Sequence, residues 1–198
     1  ELEGRGLLAA CDDQPGVRRW TVPGPIRAEA QAAATRSGEL AELRRRHARV
    51  MLSFVEAIEI RPWGVDFARY MPHLVADEPS LTAALAWAAE MGEPELGLRL
   101  ATSLWLYWQT RGKVAEGRRW LGRFVDDASI APDLCAAGLT VASLLAWMQL
   151  DLDAAEAMLA KAVPLWRTIG NIHGIGRALL FTGFVAWRRG DGAQMIAA

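Results

Sequence analysis

The 198-residue chain predicts an all-α fold, a solenoid of helical hairpins preceded by a short β-hairpin, and three observations carry that expectation. Trp108, Trp147 and Trp187 recur at steps of 39 and 40 residues, each followed closely by a turn and a helix-forming run. From Ile26 onward, apolar residues return every three or four positions, broken only by short Gly, Pro or Asp steps. Only residues 1–25 follow a different pattern.

In that first segment "GLLAA" and "VRRWTV" are short apolar or alternating runs, and the "CDDQPG" between them holds the Asp, Pro and Gly that set turn dihedrals, so a β-hairpin is expected. Pro23, Gly24 and Pro25 interrupt the backbone before a helix beginning near Ile26. Between Gly38 and Ile60, Leu40, Leu43, His47, Val50, Met51, Phe54 and Ile58 form an apolar stripe. Arg44, Arg45, Arg46 and Arg49 flank it as a basic shoulder. Helical units follow over Trp63–Val75, Leu81–Met91, Pro94–Thr110, Ala115–Asp127, Pro132–Gln149, Asp153–Thr168 and Ile175–Arg189. Their short connections imply antiparallel neighbours.

Leu150 stands where Gly190 stands one repeat later, at the turn between two helices. The helix after Leu150 presents Ala154, Ala155, Met158, Leu159, Ala162 and Leu165 on one side, with Asp153, Glu156, Lys161 and Arg167 facing away. Ala155 and Ala162 allow close helix approach, the role that small residues play in the tetratricopeptide pattern. The preceding helix supplies Leu139, Ala142, Ser143 and Ala146; its counterpart supplies Leu179, Thr182, Gly183 and Ala186. One hairpin cannot bury both of its faces, so stacking has to provide the missing surface. Pro164 removes the bond to the Ala160 carbonyl and is expected to kink its helix.

A formal net charge of −1 and 52% hydrophobic residues describe a chain able to bury a core, with no electrostatic reason to seek nucleic acid or an anionic membrane. Only Cys11 and Cys135 occur, far apart, which argues against a disulfide framework or zinc module and for a reducing cytoplasm. The weakly polar stretch "AAGLTVASLLAWMQL" carries Thr140, Ser143 and Gln149 and falls short of the roughly 18 apolar residues of a membrane span. Beginning at Glu1 and stopping just after a further repeat has begun, the chain reads as a piece of a longer protein, truncated at its C-terminus.

Several blocks resemble the sensor region of long bacterial regulators that join a STAND-type ATPase, a winged helix and tetratricopeptide repeats, often with a LuxR-type DNA-binding tail. "RRRHA" at 44–48, "LTAALAWA" at 81–88, "LWLYWQTRGKVAEGRRWL" at 104–121, "LWRTIG" at 165–170 and "RGDGA" at 189–193 match that family's successive landmarks. Residues 1–25 resemble the last strands of the winged helix before the sensor. The chain departs from the family at Asp77, Ser80, Leu81 and Thr82, where an acidic residue and Asn-Leu-Arg are usual. The resemblance implies that residues 1–36 end a winged-helix-like domain and that 37–198 form a tetratricopeptide-like repeat domain. It also implies cytoplasmic location and a protein or small effector on the repeat surface. An ATPase module would be an intramolecular partner, ATP and Mg²⁺ would belong to that module, and DNA would be reached only through other domains.

Catalytic motifs are missing. A phosphate-wrapping P-loop needs G-x-x-x-x-G-K-[ST], but Gly112-Lys113 has Tyr107 in place of the first Gly and Val114 in place of the hydroxyl. "GNIHGIG" at 170–176 follows no strand and has Leu179 where a dinucleotide fingerprint would continue, so it is expected to be a flexible helix-helix turn. His47, His73 and His173 lack spaced partners for metal or nucleophile chemistry. No catalytic, cofactor or metal residue is therefore expected, and the chain is not expected to be an enzyme.

Two features suit recognition. Arg18 and Arg19, or Arg44, Arg45 and Arg46, have the chemistry for DNA phosphates, but without a net basic field the expected reading is solvated faces or internal docking surfaces. The second is the Trp series, for which packing between repeats is the expected role and apolar capture the alternative. Trp108, Trp147 and Trp187 are the candidate groove residues, with Trp147 and Trp187 expected together on one side, roughly 10 Å apart. The expected function is a non-catalytic sensor or protein-interaction region of a transcriptional regulator. Its rivals are a passive repeat scaffold without a nucleotide switch and a winged-helix DNA-binding module with helical support.

Overall fold

The computed structural model describes residues 5–11, 19–58 and 65–190. The chain divides into two compact units, Glu1–His47 and Ala48–Ala198.

In the first unit, β1 (Ala9–Cys11) pairs antiparallel with β2 (Arg19–Thr21), Ala10 facing Trp20 in the register. The turn expected from Asp12 to Gly16 lies outside the described residues. Helix α1 (Gly24–Ser37) carries a Pro in its first turn, where the missing N–H has no intrahelical partner to lose, and ends at Gly38 with φ 76°. It starts slightly earlier than Ile26 and buries only Ala34.

Helix α2 (Leu40–Ala57) crosses from the first unit into the second. Its buried face is Ala48, Leu52 and Val55, continued by Ile58, whereas Leu43 and Val50 of the expected stripe are exposed. The buried face is thus offset from the stripe: Ala48 has no bulk to announce itself, yet a close helix contact selects small residues.

The second unit continues with α3 (Val65–Ala76), α4 (Glu78–Met91), α5 (Pro94–Ser103), α6 (Trp105–Thr110), α7 (Val114–Phe124), α8 (Pro132–Met148), α9 (Leu152–Ile169) and α10 (Ile172–Arg189). Sequential helices pack on one another, and contacts also join α5 to α7 and α8, and α8 to α10. This is an all-α helical-repeat arrangement, with the core running through Leu85, Leu98, Leu121, Leu145, Leu159 and Val185.

The expected single helix over 94–110 is broken at Leu104, which has φ −89° and ψ 2° and is 1% exposed. Leu96, Leu98 and Leu100 before the break and Leu106, Tyr107 and Trp108 after it are all buried. One straight helix would aim these sets to more than one side, and a break lets each turn inward.

The repeat is clearest from α8 to α10. Leu150 adopts φ 62°, the only positive φ of a described non-glycine residue, and Gly190 adopts φ 76° at the equivalent turn. Asp151 caps α9 by accepting from the Ala154 N–H at 3.3 Å, and Asn171 caps α10 by accepting from Gly174 N–H at 2.9 Å. The "GNIHGIG" stretch is therefore not a flexible turn: Gly170 closes α9, Asn171 caps, and α10 begins at Ile172 instead of Ile175. Helix α9 remains continuous through Pro164, which lies with Ala160 on the solvent side. Ala155 and Ala162 are both 0% exposed, as close packing requires.

Candidate functional site

Helix α8 has two covered faces. A Cβ added at Gly138 would lie 2.8 Å from Leu98, so that side of α8 meets α5. The other side carries Ala136, Thr140, Ser143 and Trp147 at steps of four, three and four, one stripe of a helix. Ala136, Thr140 and Ser143 are 0% exposed. Thr140 Oγ1 accepts from the Trp166 indole N–H of α9 at 3.0 Å and donates to the Ala136 carbonyl at 2.7 Å. Trp147 reaches α10: its indole N–H donates to the Phe184 carbonyl at 3.1 Å, and the two ring centroids are 5.4 Å apart.

Helix α10 bears the corresponding stripe, Gly176, Leu180, Gly183 and Trp187, forty residues on. There it is open. These four residues, with Trp147, Leu179 and Phe184, line a recess of about 640 Å³. Leu180 is 54% and Trp187 59% exposed, and a Cβ added at Gly176 would meet nothing within 4 Å. Arg188 spans the rim, its guanidinium carbon 5.5 Å from the ring centroids of both Trp147 and Trp187. A cation over an indole face is held by the ring quadrupole, so Arg188 ties the two rings to one side of the recess.

Of the three candidate groove residues, Trp147 and Trp187 come together and Trp108 does not. Trp108 is 2% exposed, packed where α7 offers Gly117; a Cβ there would lie 2.7 Å from Trp108 Cδ2. The second hairpin has Glu156 and Ala157 at the equivalent places, so no such bed exists for Trp147. The partners that sequence reasoning passed over are Leu180, Phe184 and Arg188. The stripe of four, three and four residues ending at Trp187 was the available signal.

Several other polar groups are engaged structurally. Tyr107 donates to Glu78 Oε2 at 2.7 Å, and Lys113 pairs with the same carboxylate. Arg118 donates to Asp151 Oδ2 at 2.7 Å and to Gln149 Oε1 at 2.9 Å, fastening α7 to the cap of α9. That hydrogen bond, followed by the Ala154 N–H, holds the Asp151 carboxyl below its ordinary range. Arg189 pairs with Asp153 and with Glu156, the latter at 3.0 Å. Burial pushes the Cys135 thiol up, away from the reactive thiolate.

His47 and His73 are half-buried and His173 is exposed, each on its own helix. Among the described residues no group of three or more His, Cys, Asp or Glu is arranged to hold a metal ion. Also among them, no helix is long and apolar enough to cross a membrane. Arg45 and Arg46 pair with Glu42, the latter at 3.2 Å, so part of the basic shoulder is neutralised on its own helix. Arg18 lies outside the described residues.

No family model and no solved structure matches the chain. It is similar to proteins of Mycobacterium bovis and of two Mycobacterium tuberculosis strains that carry the name "Putative HTH-type transcriptional regulator". Identity to each is 25% over 185 residues, covering 89% of this chain and 21% of the relative. The chain thus corresponds to about a fifth of the length of the curated relatives it matches.

Proposed function

We propose that the chain is the tetratricopeptide-like sensor and protein-interaction region of a bacterial transcriptional regulator, and that it works by binding rather than by catalysis. The observation that carries this reading is the open apolar recess of Trp147, Leu180, Phe184 and Trp187 on a helical-repeat scaffold. The names of the mycobacterial relatives support the regulatory context. Occupation of the repeat surface biases docking of a winged helix against a STAND-type ATPase elsewhere in the parent polypeptide. Such a shift requires an occupant with different affinity for two states. ATP and Mg²⁺ belong to that ATPase and DNA to a LuxR-like tail, and the protein acts in the cytoplasm.

A transcriptional reporter driven by the parent regulator tests this reading. Trp187→Ala is expected to change the reporter response, because Trp187 anchors whatever protein surface packs on this recess; an unchanged response at unchanged protein level defeats the proposal. The reading frame upstream separates the switch from a passive scaffold, since only the switch needs G-x-x-x-x-G-K-[ST] after a strand. The isolated chain is expected not to bind ATP by calorimetry. Micromolar binding abolished by a substitution within it would overturn the assignment of nucleotide to another module.

A further inference from the structure

We infer that the recess on α10 is a stacking face whose occupant is a further helical hairpin of the same repeat, carried by the same polypeptide beyond Gly190. The inference rests on reading this surface as one that binds protein, and it names the partner.

The register carries it. Gly176, Leu180, Gly183 and Trp187 correspond one for one to Ala136, Thr140, Ser143 and Trp147. On α8 that stripe is roofed by the two helices that follow it: α9 covers Thr140 through Trp166, and α10 covers Trp147 through Phe184. Thr140 is 0% exposed and Trp147 half-buried, whereas Leu180 and Trp187 at the same repeat positions are 54% and 59% exposed. The difference lies in the cover, not in the stripe. A helix cannot bury its second face without the next unit, and the features of the border with that unit recur. Gly190 adopts φ 76° where Leu150 adopts 62°, Ala186-Trp187 repeats Ala146-Trp147, and the residue after the turn is Asp in both places. The relatives are about five times as long as the stretch they share with this chain, which leaves room for such a unit.

The occupant's chemistry follows from α9 and α10. Its first helix needs small residues like Ala155 and Ala162 to approach closely, and an aromatic like Trp166 to reach the stripe. Because Leu180 replaces Thr140, that aromatic meets a methyl surface instead of a hydroxyl acceptor and needs no N–H. Its second helix presents an aromatic or branched side chain to Trp187, as α10 presents Phe184 to Trp147.

Thiol labelling tests this. Leu180→Cys is placed in a chain with Cys11→Ser and Cys135→Ala, and maleimide labelling is compared between residues 1–198 and the product extended by the next forty codons of the reading frame. The introduced thiol is expected to label freely in the shorter chain and at least about tenfold more slowly in the longer one, since reaction then requires local opening. Ala136→Cys, at the covered equivalent of Gly176, labels slowly in both. Equal rates at position 180 overturn the inference, as does a frame that stops or shows no hairpin pattern. Protection in the shorter chain that grows with protein concentration also overturns it and assigns the face to a second copy. If the thiol at position 180 labels equally in both chains while Trp187→Ala still alters the reporter, stacking is wrong and partner binding stands. Protection with an unaltered reporter supports stacking and defeats the sensor reading.

Discussion

Gly117 and Gly122 lie on the same helix and predict opposite outcomes for the same substitution. A helix-interior Gly→Ala change ordinarily stabilises by about 0.5–1 kcal/mol, because the unfolded chain loses freedom and the helix gains a better former. At Gly122 a new Cβ meets nothing within 4 Å, so Gly122→Ala is expected to show that full gain. At Gly117 the new Cβ lies 2.7 Å from Trp108 Cδ2 and 2.9 Å from Leu145 Cδ1. Leu145 has rotamers to move to, but the Trp108 ring is rigid and 2% exposed, leaving it no free direction. Overpacking of this kind costs about 1–3 kcal/mol. The propensity gain offsets part of it, leaving a net loss of about 0.5–2 kcal/mol and a Tm lower by a few degrees. Urea unfolding followed by far-ultraviolet circular dichroism measures both variants. If Gly117→Ala is stabilised as much as Gly122→Ala, the packing of Trp108 onto α7 is wrong, and with it the reason this Trp is absent from the recess.

Thr140→Val leaves the Trp166 indole N–H buried without an acceptor and is expected to cost about 1–3 kcal/mol in urea unfolding, while Thr140→Ser costs less. Leu150→Gly should raise stability by about 1 kcal/mol, because a left-handed Leu is strained and its side chain is 62% exposed; a lowered urea midpoint would contradict the turn. Asp151 has a folded-state pKa held below its unfolded value, so its contribution is present above about pH 4 and is lost as pH falls through the folded value. Asp151→Asn, which keeps an N-cap, should therefore narrow the stability difference between neutral and strongly acidic solution; an unaltered difference counts against the Arg118 pairing. Trp187→Ala should change stability of the 198-residue chain by less than about 0.5 kcal/mol, whereas Trp147→Ala loses a hydrogen bond and a ring pair worth about 1–3 kcal/mol together.

The repeat is legible because it is written twice in residue types that answer to backbone geometry. A turn requiring positive φ shows at Gly190, and the 40-residue register transfers that requirement to Leu150, where composition alone would never suggest it. Ala155 and Ala162 are legible as well, since small residues seven apart between larger apolar ones mark close helix approach. The misses share a cause. The α2 face, the break at Leu104 and the fate of Trp108 each depend on a residue of another element or on a neighbour with little side chain of its own, and periodicity weights bulk. Trp108 is decided by Gly117, and no hydropathy pattern on α6 contains that information.

The site shows the same limit from the other side. Trp147 and Trp187 look alike in sequence, one repeat apart, and the repeat supplies the sound expectation that they point the same way. What it does not supply is the difference in their surroundings, which arises because α10 follows α8 in the stack and covers Trp147 with Phe184. Exposure of Trp187 is therefore a property of its position in the series before it is evidence of a ligand. A dedicated ligand site would be expected to differ from its repeat equivalents in chemistry as well as in cover. Leu180 for Thr140 and Arg188 for Met148 are such differences, yet Leu180 makes the stripe more apolar, the direction that suits protein cover. Arg188 alone points elsewhere, and it already lies 5.5 Å from both indoles. Substituting Arg188→Met should thus leave protection of the thiol introduced by Leu180→Cys unchanged in the extended chain if the face is for stacking, whereas a site built to read an acidic partner would lose its recognition with that one change.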